Sequence, residues 1–372
     1  LMRERHVPLL ALESAAPLAS FDLVGFTLAH ELVATNIMET LDLAGIPVRA
    51  ADRAEDDAIV IAGGPSVWNA EPLAPMFDAI LLGDGEDAIV EIAACVRDAR
   101  SVGASRENIL LALSRIQGVY VPSLYDVVVD STSTRWGYAV PKPGSGAPEV
   151  VLKRCVADFA STPACAEHIV PYMGIVQDRL AIEVLRGCAR GCRFCQAGMT
   201  YRPVRERPMD QVVEASERGL AETGYDELSL TSLSTTDHSQ CAPMLNELDE
   251  RLSGRGIRVS IPSQRLDSFG VDMANAASGS KRGGLTFAPE AGTQRLRDVI
   301  NKGVTEEDLE RAARNAFEHG WRRVKLYFMV GLPTETDEDI LAIPAATHRV
   351  LEIGREVVGR GKKSKVQVSA SV

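Results

Sequence analysis

No apolar run in this 372-residue chain is long enough to cross a bilayer. Its opening, LMRERHVPLLALES, lacks the ordered basic, apolar and small-residue regions of an export signal. A cytoplasmic protein without membrane association is expected. Positive charge is also short: 40 basic residues face 51 acidic ones, a net charge of -11. The surface as a whole therefore has no electrostatic footprint for nucleic acid, which is not indicated, although a local basic patch is compatible with the count. Nor do the cysteines read as a disulfide framework. Seven is an odd number and three of them crowd into positions 188–195, which fits a metal site in a reducing compartment. What is present is ordinary for a globular protein, 45% hydrophobic and 24% charged residues over a length sufficient for two or three domains. The chain begins on Leu1 and stops on the strand-like SKVQVSASV, so truncation at both ends is expected.

Between Phe21 and about Arg100, short apolar strands alternate with helical stretches: DLVGFTL, ELVATNIMETLDLAGI, AIVIAGG, AILLGDG and EDAIVEIAACVRDA. That alternation predicts a parallel sheet with crossover helices, a Rossmann-like domain over residues 1–105. Gly63 and Gly64, followed by Pro65 and Ser66, end one strand, and Gly83 and Gly85 end another. Ligands of open parallel sheets sit at such carboxyl ends, where small residues let them approach the backbone. Tight turns use glycine for their own reasons, however, and there is no GxGxxG, so a bound cofactor and a plain turn stand level. Residues 106–172 lose the regularity: VYVPSLYDVVVD and GAPEVVLKRCV read as strands around the loop VPKPGSGAP, a linker with short β elements. From 173 to 372 the alternation resumes with RLAIEVL, ELSLTSL, IRVSIP, GGLTFA, RVKLYFMVG and KVQVSAS. Amphipathic helices, such as Met209 to Glu222 and Thr305 to His319, fall between them. The fold class is thus α/β, with six β/α steps that predict a partial barrel whose chemistry gathers at the loops following the strands.

LRGCARGCRFCQAGMTYRP follows the first of those strands and carries Cys188, Cys192 and Cys195. CxxxCxxC can wrap three corners of a cuboidal iron-sulfur cluster, with Gly187 and Gly191 relieving the crowding of so tight a loop. A tetrahedral structural zinc takes four protein ligands, and no second CxxC or HxxxH completes one. Cys155, Cys165, Cys241 or His238 would have to reach in from a distance. An electron-transfer cluster also takes four thiolates, whereas an open iron invites a substrate or cofactor, so three cysteines favour catalysis.

With Phe194 just ahead of the last cysteine, this motif after a first barrel strand resembles the radical S-adenosylmethionine superfamily. The resemblance implies a partial (β/α)6 barrel of TIM type and a 4Fe-4S cluster on Cys188, Cys192 and Cys195. S-adenosylmethionine would chelate the fourth iron, and a low-potential donor such as flavodoxin or ferredoxin would reduce the cluster. Cleavage would then yield a 5'-deoxyadenosyl radical that abstracts a hydrogen from a substrate the sequence does not disclose. Phe194, Ser232, Ser234, Glu290 and Lys302 are the implied S-adenosylmethionine contacts. LSLTSLSTTD ends the second strand where the superfamily binds the methionine amine, while Glu290 suits a ribose diol and Lys302 a carboxylate. Plainer readings compete: a hydroxyl-rich helix cap for the serines, and a solvated cation near a helix C-terminus for Lys302. VKLYFMVGLPTETDED resembles the superfamily's fifth-strand segment, with Gly331, Leu332 and Pro333 in its turn. Arg186, Arg190, Arg193, Arg202 and Arg205 make a basic mouth that either holds an anionic substrate or pairs with nearby carboxylates, the second being slightly favoured.

The N-terminal run, placed before such a barrel, resembles the cobalamin-binding domain of bacterial radical S-adenosylmethionine proteins of unassigned substrate. Gly63, Gly64, Pro65, Ser66, Gly83 and Gly85 are the implied cobalamin contacts. No Asp-x-His-x-x-Gly motif is present, so no histidine, His30 included, is assigned as a cobalt ligand. With cobalamin, radical methyl transfer is the leading reaction. Without it, methylthiolation or rearrangement stays open, as do a non-catalytic iron-sulfur or cobalamin sensing module and a zinc-stapled scaffold.

Overall fold

The computed structural model describes residues 2–5, 7–129, 137–261, 265–270, 284–359 and 365–372. The chain divides into two compact units, Leu1–Ala157 and Asp158–Val372. In the first, a one-turn helix α1 (Met2–Arg5) precedes a four-stranded sheet. Strands β1 (Leu23–Thr27), β2 (Ile59–Gly63) and β3 (Ala79–Leu81) run parallel, and β4 (Val119–Tyr120) closes the sheet antiparallel to β3. The central β2 is apolar at consecutive positions because both of its faces are covered. Val60 and Ala62 pack with Ile37 and Leu41 of α2 (Ala34–Ala44) on one side. Ile59 and Ile61 pack on the other with Ile92 and Val96 of α3 (Ala88–Ser101) and Ile109 of α4 (Arg106–Leu113). Each of these valines, leucines and isoleucines contributes about 1.5–3 kcal/mol by leaving water. Gly45, at φ 73°, stops α2 with a left-handed cap.

The residues expected as a linker, 106–172, are shared between the units: α4, β4 and the antiparallel hairpin β5 (Tyr125–Val129) and β6 (Gly137–Pro141) all belong to the first. Two expectations change here. GAPEVVLKRCV is not a strand. It makes a single β-bridge, Gly83 to Arg154, since Pro148 has no N–H to give a ladder and Val150 and Leu152 face solvent instead of alternating. GYAVP, passed over in the sequence, is the strand that pairs with β5.

The second unit holds six parallel strands in chain order. β7 (Leu180–Glu183), β10 (Glu227–Thr231) and β11 (Arg258–Ser260) form one sheet. β12 (Leu285–Glu290), β13 (Arg323–Phe328) and β14 (Gln367–Ser371) form a second. A short ladder, β8 (Leu185–Arg186) against β9 (Arg205–Glu206), brackets the cysteine loop, which contains α5 (Ala197–Thr200). Among the described residues, the remaining helices are α6 (Met209–Thr223), α7 (Cys241–Leu252), α8 (Gln294–Val299), α9 (Glu306–Glu318) and α10 (Asp337–Val358). All six expected strands are present, Met209 to Glu222 is helical, and the helix expected over Thr305 to His319 runs from Glu306 to Glu318 with those two residues as its caps. Leu180, Ile182, Leu228, Leu230, Phe287, Val324 and Leu326 turn one face of the strands to the helices. By strand alternation the other face carries Ala181, Ser229, Ser260, Thr286, Lys325 and Ser369. Helix starts are fixed by capping boxes, Thr305 with Asp308 and Thr336 with Asp339. None of the described helices is long and apolar enough to cross a membrane.

Candidate active site

The cysteine loop leaves the first barrel strand through the β8–β9 ladder, which pairs Leu185 with Glu206 and Arg186 with Arg205. Immediately inside that neck Gly187 has φ 90°, and a Cβ there would lie 2.6 Å from the Tyr201 carbonyl oxygen. Only glycine fits. Cys188, Cys192 and Cys195 are all free thiols, Cys192 buried and the other two half-buried. The Gly198 N–H points at the Cys195 Sγ from 3.3 Å. Among the described residues no three His, Cys, Asp or Glu side chains group closely enough to hold a single metal ion.

Three hydrogen bonds seat the loop on the far side of the barrel. The Arg193 N–H donates to the Ile300 carbonyl at 2.9 Å and its guanidinium to that of Val299, while Asn301 Nδ2 donates to the Gly191 carbonyl at 2.8 Å. On the near side Arg190 pairs with Asp237 at 2.5 Å and Asp267 at 3.0 Å, and Arg265 ties Asp267 to the Lys302 carbonyl. Burial would raise the Asp237 carboxyl, but the hydrogen bonds of Arg190 and Ser234 and the charges of Arg190 and Arg265 together outweigh it and hold the group below the usual carboxylate range. These clamps went unread in the sequence because they join residues as much as 110 positions apart.

Three of the expected S-adenosylmethionine contacts come together. Lys302 Nζ lies 2.9 Å from Glu290 Oε1 and 5.8 Å from the centre of the Phe194 ring. Lys302 is not a solvated cation: its side chain is 11% exposed and that of Glu290 14%. Glu290 adopts φ 71°, unusual for a side chain with a Cβ, just after the register of β12 shifts. Ser232 faces a cavity of about 430 Å³ with Glu183, Arg186, Tyr201 and Thr231, and its hydroxyl also accepts the Ser234 N–H at 3.1 Å. Ser234 is buried away from that cavity.

The basic mouth is largely internal wiring. Arg186 forks onto Glu183 at 2.8 and 3.0 Å, Arg193 bonds the Val299 carbonyl at the end of α8, Arg202 bonds the Cys188 carbonyl, and Arg205 bonds those of Pro203 and Tyr201. Two of the distant ligands a zinc site would borrow are also committed. His238 accepts the Gln240 N–H at Nδ1 and meets the Arg207 carbonyl at Nε2, and burial pushes the Cys241 thiol up to about 12.

At the carboxyl end of the first unit's sheet, two glycines answer to the chain itself. Gly83, at φ 114°, would put a Cβ 2.0 Å from the Arg154 carbonyl oxygen, and Gly64, at φ 103°, 2.9 Å from that of Leu28. Beside them a Cβ on Gly63 meets nothing within 4 Å, and one on Gly85 meets only the Leu81 side chain at 3.9 Å. Pro65 and Ser66 open the following 3-10 turn.

Comparison with known proteins places this geometry. Residues 182–343 match the radical SAM superfamily, and residues 1–122 match the N-terminal region of radical SAM proteins. The chain belongs to the radical S-adenosylmethionine superfamily. It is thus a radical SAM enzyme, and the family works with a 4Fe-4S cluster and S-adenosylmethionine. An uncharacterized protein of Methanocaldococcus jannaschii is 29% identical over 358 residues, 95% of this chain and 69% of that one. A tRNA-2-methylthio-N(6)-dimethylallyladenosine synthase of Chlorobium phaeobacteroides is 27% identical, over 34% of this chain and 30% of its own. Among solved structures, the radical S-adenosylmethionine methyltransferase TsrM of Kitasatospora setae aligns at TM-score 0.59 and 18% identity, over 90% of this chain and 61% of that one. The cobalamin-dependent radical enzyme OxsB aligns at TM-score 0.60 and 15% identity, over 88% and 44%. These likenesses are of fold, and the chain spans less than two thirds of either structure.

Proposed function

We propose that this enzyme performs cobalamin-dependent radical methyl transfer. The observation that carries its radical half is the set of three free thiols, Cys188, Cys192 and Cys195, at the carboxyl end of the first barrel strand beside Phe194, Glu290 and Lys302. The donor set suits an iron-sulfur cluster: three thiols, one already receiving an N–H, in a loop held at both ends. When bound, the cluster supplies the electron that cleaves the sulfonium of S-adenosylmethionine, drawn from a low-potential donor such as flavodoxin or ferredoxin. The chain's own residues do the holding. Lys302 presents an ammonium to the methionine carboxylate and Glu290 an acceptor to the ribose diol, each satisfied by the other until the ligand arrives. Ser232, in the 430 Å³ cavity, offers a hydroxyl to the amine, and Ser234 supports it from beneath.

The methyl-transfer half rests on the likeness to the methyltransferase TsrM, and its cobalamin on the likeness to cobalamin-bound TsrM and OxsB. The first unit suits cobalamin at Gly63 and Gly85, where the space a Cβ would fill is open, with Pro65 and Ser66 alongside; Gly64 and Gly83 set the turns. A second reading, methylthiolation without cobalamin, is favoured by the partial match to a methylthio-adenosine synthase. Anaerobic iron and sulfide reconstitution, reduction and addition of S-adenosylmethionine should yield 5'-deoxyadenosine or methionine. Absence of cleavage in iron-loaded protein overturns the radical reading, and absence of retained cobalamin after loading turns the choice to methylthiolation.

A further inference from the structure

The strand face that looks away from the helices of the second unit is lined by short hydroxyls and few charges. In adjacent register it carries Ser229 and Ser260 on one sheet and Thr286, Lys325 and Ser369 on the other, with Tyr327 and Ser371 one step nearer the carboxyl ends. Each carboxylate on this face is already matched. Glu183 takes Arg186, Glu227 sits between Arg179 and Arg258, and Glu290 takes Lys302. Lys325 differs: among the described residues no carboxylate pairs with it, and its hydrogen-bond partner is the Tyr327 hydroxyl at 2.9 Å. The ammonium also lies 4.5 Å from the centre of the Tyr327 ring, which fixes its position. Because the phenol oxygen accepts from the ammonium, its own O–H is left to donate outward. The pair therefore presents donors and positive charge with no acceptor, in a chain whose net charge is -11.

We infer that Lys325 and Tyr327 form an anion subsite that holds a carboxylate or phosphate group of the substrate. The inference rests on the radical reading above and names the substrate class of the same barrel. An ammonium without a carboxylate partner, held at a solvent-open contact with the 42% exposed Tyr327, gains from an anionic oxygen that it and the neighbouring hydroxyl can both bond. Held there, the substrate is anchored by a group remote from the carbon that reacts, and orientation follows from the anchor.

The test is trace acylation of lysines in the anaerobically reconstituted chain, read by mass spectrometry in inorganic phosphate, sodium acetate or sodium chloride of equal ionic strength. At an anion concentration twice its dissociation constant, labelling of Lys325 should slow about threefold relative to chloride. The exposed Lys142 serves as control and should not change. Slowing by phosphate alone assigns a phosphorylated substrate, and slowing by acetate alone a carboxylic acid. Tyr327→Phe, which keeps the ring but loses the donor, should reduce the protection. Equal labelling in all three salts, or none in any, overturns the subsite. Failure of the wild type to cleave S-adenosylmethionine without substrate speaks against the radical reading alone and leaves the labelling result to judge the subsite.

Discussion

The two carboxyl-end sites of this enzyme use the same backbone device and end differently. In the cysteine loop, Gly187 lets the chain pass 2.6 Å from the Tyr201 carbonyl oxygen, and the turn so made carries three free thiols. In the first unit, Gly83 lets the chain pass 2.0 Å from the Arg154 carbonyl oxygen, and the turn carries no comparable donor. A glycine after a strand thus reports a close approach without saying what approaches. At Gly187, Gly64 and Gly83 it is the chain's own backbone. The chemistry is read from side chains placed by the turn, which is why the thiols carry more weight than the glycines.

The largest expected effect separates the sites by chemistry. Cys192→Ala should abolish 5'-deoxyadenosine formation and lower bound iron, while far-ultraviolet circular dichroism stays unchanged, because one missing thiolate leaves the cluster incomplete. Wild-type product from the variant would remove the loop from the mechanism. Next, Gly83→Ala should destabilise the first unit by about 3 kcal/mol, from the Arg154 contact and the strain of φ 114°, measured by urea unfolding. A loss below about 0.5 kcal/mol would mean that the turn is free to open and that its glycine serves something else.

A smaller effect tests the clamp on the cysteine loop. Arg190→Gln should cost about 1 kcal/mol in the iron-free protein, as expected of a partly exposed pair. The pH dependence has a definite sign. The Asp237 carboxyl is held below its ordinary value of 3.8, so its contribution is complete above that pH and is lost as pH falls through the lowered folded value. Thermal unfolding of iron-free wild type between pH 6 and about 3 should show this loss, and Arg190→Gln should flatten it. Identical curves for the two proteins would remove Arg190 from the account.

Much of this was legible beforehand. The parallel strands of both units follow from their short apolar runs, GYAVP does not, and CxxxCxxC after a strand locates the cysteine loop. Glu290 and Lys302 were singled out twelve residues apart, and their meeting at 2.9 Å depends on α8 turning the chain back, which local pattern does not encode. GAPEVVLKRCV has the apolar residues of a strand but lacks a neighbour to pair with, and pairing is a tertiary property. Asn301 and Arg190 were invisible for the same reason: each is an ordinary polar residue until the fold brings a carbonyl or carboxylate to it. The Lys325 and Tyr327 pair is written in the alternation of RVKLYF, yet only the pairing of every nearby carboxylate elsewhere makes it stand out.

The smallest effect on stability bears hardest on the comparison. Gly63 ends β2 with ordinary backbone angles, and a Cβ there meets nothing within 4 Å, so Gly63→Ala should change stability by no more than about 0.5 kcal/mol. If cobalamin lies against that strand end, the added methyl occupies its space, and cobalamin retained after anaerobic loading, read by visible absorption, should fall while unfolding does not move. Full retention with unchanged stability would mean that no ligand approaches Gly63. Gly63 would then join Gly64 and Gly83 as a residue of the turn, and the two sites would share a backbone device and no more.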